Sequence, residues 1–477
     1  MSAHLFDIPA NWSWTTLDAI ADVVGGGTPR TNDSENYEDG TIAWITPADL
    51  SGYTAKYISH GERFITKKGL VGSSAKMMPA GTVLFSSRAP VGYVAIAANP
   101  VCTNQGFKSF VLKTKDILPD YLYWWLKGSK ELAESLASGT TFLELSGAKA
   151  KQLPIPIAPP EQQRRIVAEI EKQFSRLDEA VANLKRVKVN LKRYKAAVLK
   201  AAVEGKLTEE WRKQHPNVEP AGKLLERILT DRRAKWNGKG KYKEPFEPDT
   251  TGFPLLPEGW IWAPLGSITE AVGGFAFESK KFTLTGFQVL KMANVRMGRI
   301  DLDQKPSFIQ NVEPNVIARY GLMEGDLVVT LTGTRKKQDY GYVAVVKNAK
   351  SVLLNQRIAR LRPADGVLPE FLAFVMQSEE YRNRFFAYET GNVGQGNVGI
   401  GAVTKEPIRL SPFAEQQYIV AEVERRLSVI DELEATVKAN LTRADRLRQS
   451  ILASAFSGEI SVGSSEFARL SINPAAH

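Results

Sequence analysis

The chain has 477 residues, 43% of them hydrophobic, which is enough for two to four packed domains and excludes global disorder. Its 62 Lys plus Arg outnumber 52 Asp plus Glu, and the resulting net charge of +10 suits a polyanionic partner. One cysteine, Cys102, and four scattered histidines exclude a disulfide-stapled fold and a Cys/His zinc cage, while the absence of a signal-like start or a run of ~18 apolar residues leads us to expect a soluble cytoplasmic protein without a membrane span.

In chain order, residues 1–157 read as a mixed domain. It opens on Ile8-Pro9-Ala10-Asn11-Trp12-Ser13-Trp14 and continues through Leu17, Ile20 and Val24 to Gly25-Gly26-Gly27, which reads as a turn. Short β-branched and aromatic runs such as Thr82-Val83-Leu84-Phe85-Ser86, bounded by Gly, Pro and Asn, read as strands. The domain exits through Leu153-Pro154-Ile155-Pro156 and Pro159-Pro160, after which no proline or glycine occurs until Gly205, so residues 158–207 read as a long helix. Along it Ile170, Leu177, Leu184, Leu191 and Val198 recur every seven residues, with Phe174, Val181, Val187 and Tyr194 as companions. Residues 208–254 are charged and irregular and read as a connector with a helical piece near Leu224–Leu229. A second mixed domain follows over 255–411 and a second long helix over 412–460, with Val423, Ile430, Val437, Ala444 and Ile451 at the same spacing; 461–477 reads as a loose tail.

The second half repeats the first. Leu256-Pro257-Glu258-Gly259-Trp260-Ile261-Trp262 returns the opening, and Leu265, Ile268 and Val272 lead to Gly273-Gly274. Gly92-Tyr93-Val94-Ala95 returns as Gly341-Tyr342-Val343-Ala344, Asn104-Gln105 as Asn355-Gln356, and Leu118-Pro119-Asp120-Tyr121-Leu122 as Leu368-Pro369-Glu370-Phe371-Leu372. Glu161-Gln162-Gln163 with Ile166-Val167-Ala168-Glu169 returns as Glu415-Gln416-Gln417 with Ile419-Val420-Ala421-Glu422, and the two heptad series align at one offset of 253. Sustained heptads in both copies predict a coiled coil, against the alternative of two amphipathic helices each lying on its own domain. Equivalent copies close most simply by a pseudo-two-fold that sets the helices antiparallel, with the domains at opposite ends of a rod. The predicted fold class is therefore α+β: two similar mixed α/β domains joined by two long antiparallel coiled-coil helices.

Catalytic patterns are missing from the sequence. There is no Gly-x-x-x-x-Gly-Lys-Ser/Thr loop, and Asn99-Pro100-Val101 and Asn473-Pro474-Ala475 lack the second proline and aromatic residue of an amino-methyltransferase motif. Glu169, Glu171 and Lys172 read as a solvated helix face in preference to a metal site.

The duplicated Leu/Ile-Pro-x-x-Trp start, variable domain, Pro-rich exit and Glu-Gln-Gln…Ile-Val-Ala-Glu helix resemble the DNA sequence-specificity subunit of type I restriction-modification systems, over nearly the whole chain. The resemblance implies two target recognition domains, each reading one half of a split double-stranded DNA site, and helices that fix the spacing. It also implies docking of two methyltransferase subunits and two restriction/translocase subunits, to which S-adenosylmethionine, ATP and Mg would belong; the chain itself would be non-catalytic and hold no cofactor or metal. A helix of about 40 residues spans ~60 Å, against ~34 Å for a turn of B-DNA, so spacer length is expected to follow helix length. The alternatives are a stand-alone DNA-binding protein, as an orphan specificity subunit, and a coiled-coil scaffold.

Two domains that read different half-sites share residues for fold and differ in residues for base choice. By that filter the shared Asn104-Gln105 and Asn355-Gln356, although able to pair with adenine, are read as structural, as are Trp12, Trp14, Trp260 and Trp262. The DNA-binding candidates in the first domain are Arg30, Thr31 and Asn32 after the glycines, and Ser87 and Arg88 after a strand. In the second they are Lys291, Asn294 and Arg296, opposite Thr46 and Asp49 in copy one, then Thr332, Arg335, Lys336, Lys337 and Gln338 at a strand exit. Asn392 and Asn397 join them from a glycine-rich loop matched to Gly139-Thr140-Thr141-Phe142, read as mobile and able to order on DNA. Between Ala180 and Val203 the first helix carries Lys185, Arg186, Lys188, Lys192, Arg193, Lys195 and Lys200 without an acid, a stripe suited equally to phosphates, to an acidic partner or to solvent.

Overall fold

A computed structural model describes residues 6–139, 143–236, 241–242, 244, 247–392 and 394–459. The tail 461–477 and Thr140, Thr141 and Phe142 lie outside the described residues. The chain divides into two compact units, residues 1–186 with 437–477 and residues 187–436. Among the described residues no helix is long and apolar enough to cross a membrane.

In the first unit, the strand Ser13–Thr16 that leads into the domain pairs antiparallel with the exit strand Pro154–Ile157, Ser13 opposite Ile157. The Pro-rich exit is thus a strand whose prolines need no amide partner at a sheet edge. Between these strands lies a five-stranded sheet in the order Ala21–Gly25, Lys108–Leu112, Val83–Ser87, Val91–Ala97, Tyr57–Ile58. Val83–Ser87 is buried at every position, as a central strand covered on both faces must be. A smaller sheet sets Ile42–Ile45 parallel to Cys102–Thr103.

The second unit repeats the plan. Ile261–Pro264 pairs antiparallel with Pro407–Leu410, Ile261 opposite Leu410. A four-stranded sheet runs Thr269–Gly273, Ile358–Pro363, Leu327–Thr330, Val343–Val345, and Phe287–Leu290 lies parallel to Val352–Leu354. The segment read as a connector with a helical piece near Leu224–Leu229 belongs to this unit: it forms helices Glu209–Gln214 and Ala221–Ala234, and Ala221, Leu224 and Ile228 enter the unit's core. Their three- and four-residue spacing is a narrow apolar stripe that the surrounding charge hides. Arg232 fastens the second of these helices by donating to the carbonyls of Gly266 (2.6 Å) and Ser267 (2.7 Å).

The long helices are Pro160–Val203 and Phe413–Phe456, 44 residues each. Pro160 stands at the first helical position, where no amide is needed, and Gly205 and Gly458 follow the ends in the left-handed region. In the first unit Ile170, Phe174 and Leu177 share one core with Ala444, Ile451, Leu452 and Phe456; in the second, Val198, Ala202 and Val203 share one with Ile419 and Val423. The helices therefore pack on each other and on their domains at once, since the same cores include Trp12, Tyr121 and Leu122, or Trp260, Phe371 and Leu372. Asp178 pairs with Arg448 in one unit and Asp431 with Lys195 (3.1 Å) in the other. At the offset of 253 these are one contact with the copies exchanged.

Every heptad position is buried except Leu184 and Leu191, which are half-buried. Two of the expected companions fail: Val187 is 43% and Tyr194 49% exposed. Phe174 and Val181 follow their heptad residue by four, Val187 and Tyr194 by three. At 100° per residue, four steps place a side chain on one flank of the seam and three place it on the other. Only the first of these flanks is buried: Phe174 is 8% exposed, packed against Trp124 with Arg448 over its ring, and Val181 is half-buried.

Candidate functional site

The motifs shared by the two copies build the scaffold. Gly26 approaches residues 103–107 so closely that a Cβ there would lie 1.8 Å from the Asn104 carbonyl oxygen, and Gly274 meets Asn355 in the same way at 1.9 Å. The glycines therefore serve close backbone approach, not the turn expected of them. Asn104 Oδ1 accepts from the Gly106 amide (2.9 Å) and Asn355 Oδ1 from the Gln356 amide (2.9 Å), closing the loop that each glycine touches.

Gln163 is fully buried; its Oε1 accepts from Leu118 N (3.0 Å) and its Nε2 donates to the carbonyls of Ala158 and Asp116. Gln416 repeats this on Leu368 N (2.9 Å) and the Ser411 carbonyl. Trp12 Nε1 donates to Gln162 Oε1 (2.6 Å), and Trp260 Nε1 to Glu415 Oε2 (2.8 Å). Gln162 and Glu415 are thus spatial equivalents. The carboxylate of Glu415, with 1% of its side chain exposed, is also met by Arg212 Nη1 (2.6 Å) and the Thr208 hydroxyl (2.5 Å).

Three of the helix carboxylates, Glu169, Glu171 and Glu422, are paired. Glu169 is held below the usual carboxylate range by hydrogen bonds from Gln173 and Lys172. Glu422, its equivalent, is held at about 2 by hydrogen bonds from Arg425 and Arg426 that outweigh its partial burial. Glu171 keeps 42% of its side chain exposed and, with Asp120, also pairs with Lys56 of the first domain.

The candidate contact residues fall into three settings. Some are absorbed by the fold. Ser87 is buried and its hydroxyl donates to the Gly106 carbonyl (3.1 Å). Asn294, 1% exposed, accepts from Lys291 N (2.9 Å) and donates to the carbonyls of Asp301 and Gln304, the role Asp49 fills by accepting from Thr46 N (2.7 Å). Lys291 Nζ donates to Ser307 Oγ (2.7 Å) and the Lys305 carbonyl, and Arg296 to the Val295 carbonyl (3.0 Å) and Gln304 Oε1 (3.4 Å). Others, Arg30, Thr31, Asn32, Lys336, Lys337, Gln338 and Asn392, are exposed.

The third setting brings candidates together at a sheet edge. The glycine-rich loop is not wholly irregular: Gln395–Asn397 forms a strand antiparallel to Thr332–Thr334, and Thr332 Oγ1 hydrogen-bonds Asn397 Oδ1 (2.9 Å). Arg335 Nε pairs with Glu389 Oε2 (2.6 Å), and the same carboxylate, hydrogen-bonded by the Tyr340 hydroxyl, is held below its ordinary range by that bond first and Arg335 second. In the first domain Arg88 Nη1 lies 3.5 Å from Glu144 Oε2, and half-buried Lys108, beside them, has its ammonium pushed down by desolvation. Sequence reasoning missed Glu144, Lys108 and Glu389. For Glu144 a signal existed: it lies 253 residues before Asn397.

Residues 9–191 match the family model described as type I restriction modification DNA specificity domain. The specificity subunit of the type I restriction enzyme EcoKI of Escherichia coli K12 is 24% identical over 463 residues, 95% of this chain and 90% of that protein. The chain is thus similar to type I restriction-modification specificity subunits, by a family model over its first domain and by one such relative over nearly its whole length. The MjaIX specificity subunit of Methanocaldococcus jannaschii is 41% identical over 181 residues, a match spanning 38% of this chain and only 40% of that relative. The fold is that of the HsdS subunit from Thermoanaerobacter tengcongensis, with a TM-score of 0.56 at 17% identity, covering 96% of this chain and all of that one. It is also that of a chain from a solved structure on complex assembly and conformational transition of the type I R-M system, with a TM-score of 0.68, 17% identity and the same coverage.

Proposed function

We propose that the chain is the non-catalytic subunit that gives a type I restriction-modification complex its DNA sequence specificity. Each mixed domain reads one half of a bipartite double-stranded target, and the paired helices present docking surface for two methyltransferase and two restriction/translocase subunits. S-adenosylmethionine, ATP and Mg belong to those partners. The observation that carries the reading is the division of labour between the copies. Gly26 and Gly274, Asn104 and Asn355, and Gln163 and Gln416 do the same structural work, whereas the polar residues at the sheet edges differ. A protein that holds one scaffold twice and varies its exposed polar edge is suited to reading two sequences.

Equilibrium DNA binding by the chain alone and with methyltransferase subunits tests this. A stable complex is expected whose affinity for target DNA falls linearly on a log–log plot against salt, with the neutralised phosphates setting the slope. Equal affinity and sequence preference for the chain alone, with no methyltransferase complex, would favour a stand-alone DNA-binding protein. A complex without salt-dependent DNA association would favour a scaffold.

A further inference from the structure

The backbone bonds of the two domains identify one pair of positions as equivalent. Ser86 Oγ accepts from Tyr93 N (2.8 Å), as Thr330 Oγ1 accepts from Tyr342 N (3.0 Å). One residue on, Leu145 N donates to the Ser87 carbonyl (2.9 Å) and Val398 N to the Leu331 carbonyl (2.9 Å). Glu144 exchanges both backbone bonds with Ser138 (2.9 and 3.0 Å), and Asn397 does so with Thr390 (2.9 and 2.8 Å). Arg88 therefore corresponds to Thr332 and Glu144 to Asn397, and each couple faces across the same antiparallel bridge.

The frame is the same while the side chains differ in chemistry. The first domain carries an Arg–Glu pair at 3.5 Å, 35% and 43% exposed. In the second, a buried Thr332 hydroxyl bonds the amide oxygen of an exposed Asn397. A half-exposed ion pair at this distance is weak and easily exchanged for another partner. Arg88 can trade Glu144 for the O6/N7 edge of guanine, leaving the carboxylate to accept from cytosine N4. Thr332 fixes the amide plane of Asn397, whose NH2 group and remaining lone pair match the N6/N7 edge of adenine.

Resting on the reading above, we propose that Arg88 with Glu144 and Thr332 with Asn397 are the corresponding base-discriminating pairs of the two recognition domains, the first selecting a G·C and the second an A·T pair. The test is the double variant Arg88→Thr, Glu144→Asn in the full chain with its methyltransferase partner, with adenine methylation mapped across a genome. The expected result is a split motif in which one base pair of the first half loses its G·C requirement while the second half and the spacer stay unchanged. A split wild-type motif whose first half survives the exchange overturns the pair assignment alone. A wild-type complex that methylates no split motif overturns the functional reading instead. If the double variant methylates nothing, Arg88→Ala in the purified complex decides. Across duplexes carrying each base pair at every first-half position, roughly tenfold discrimination at one G·C position is expected to disappear while salt-sensitive binding persists. Wild-type discrimination at every position overturns the proposal.

Discussion

Replacing Glu415 by alanine is expected to destabilise the second unit by about 3–5 kcal/mol, because it leaves a paired guanidinium without its buried carboxylate. Glu415 has 1% of its side chain exposed, and it is met by Arg212, Thr208 and Trp260. Breaking one side of such a pair costs far more than the pair is worth against an apolar replacement. The first copy shows the neutral version of the same position, where the Gln162 side chain accepts from Trp12. Glu415→Gln alone should keep the tryptophan bond and leave Arg212 unpaired, whereas Glu415→Gln with Arg212→Leu should recover most of the loss. Urea unfolding followed by tryptophan fluorescence reads all three variants; a cost below about 1 kcal/mol for Glu415→Ala, in the range of an exposed pair, would refute the buried-pair account.

The largest single-residue effect is expected at Gly26. Its Cβ would overlap the Asn104 carbonyl oxygen at 1.8 Å, a backbone atom that cannot swing aside, so Gly26→Ala should cost more than about 4 kcal/mol. Gly274→Ala, 1.9 Å from the Asn355 oxygen, should do the same to the second domain. The neighbouring Gly25 and Gly273 are internal controls. Nothing lies within 4 Å of a Cβ at either, so alanine there should change stability by less than about 1 kcal/mol. Limited proteolysis and denaturant unfolding of the four variants measure this, and equal behaviour of Gly25→Ala and Gly26→Ala would contradict the close-approach role.

The architecture was legible because it is written twice. A repeat at a fixed offset requires no knowledge of three-dimensional contacts, and the seven-residue apolar period marks both long helices directly. What failed depended on contacts between residues distant in sequence. Ala221, Leu224 and Ile228 are a stripe too narrow to stand out among charges, so their place in the second core became clear only once that core was assembled. Val187 and Tyr194 fit the heptad in number but sit on its wrong flank. In the candidate site, Ser87 and Asn294 are polar residues beside strand ends, a pattern common to surface contacts and internal caps alike. Burial and hydrogen-bond partners separate the two, and both residues are internal. Glu144 was marked in the sequence only by its 253-residue offset from Asn397; its role follows from the bridges to Arg88 and Ser138.

If each domain reads its own half of a split DNA target, exchanging one domain alters one half of the motif alone. Exchanging residues 1–157 for the corresponding domain of another specificity subunit, and mapping adenine methylation in cells that also carry the methyltransferase partner, tests it most directly. The expected result is a split motif in which one half changes to that of the donor while the other half is retained. An unchanged motif after the exchange, or a change in both halves together, would contradict it.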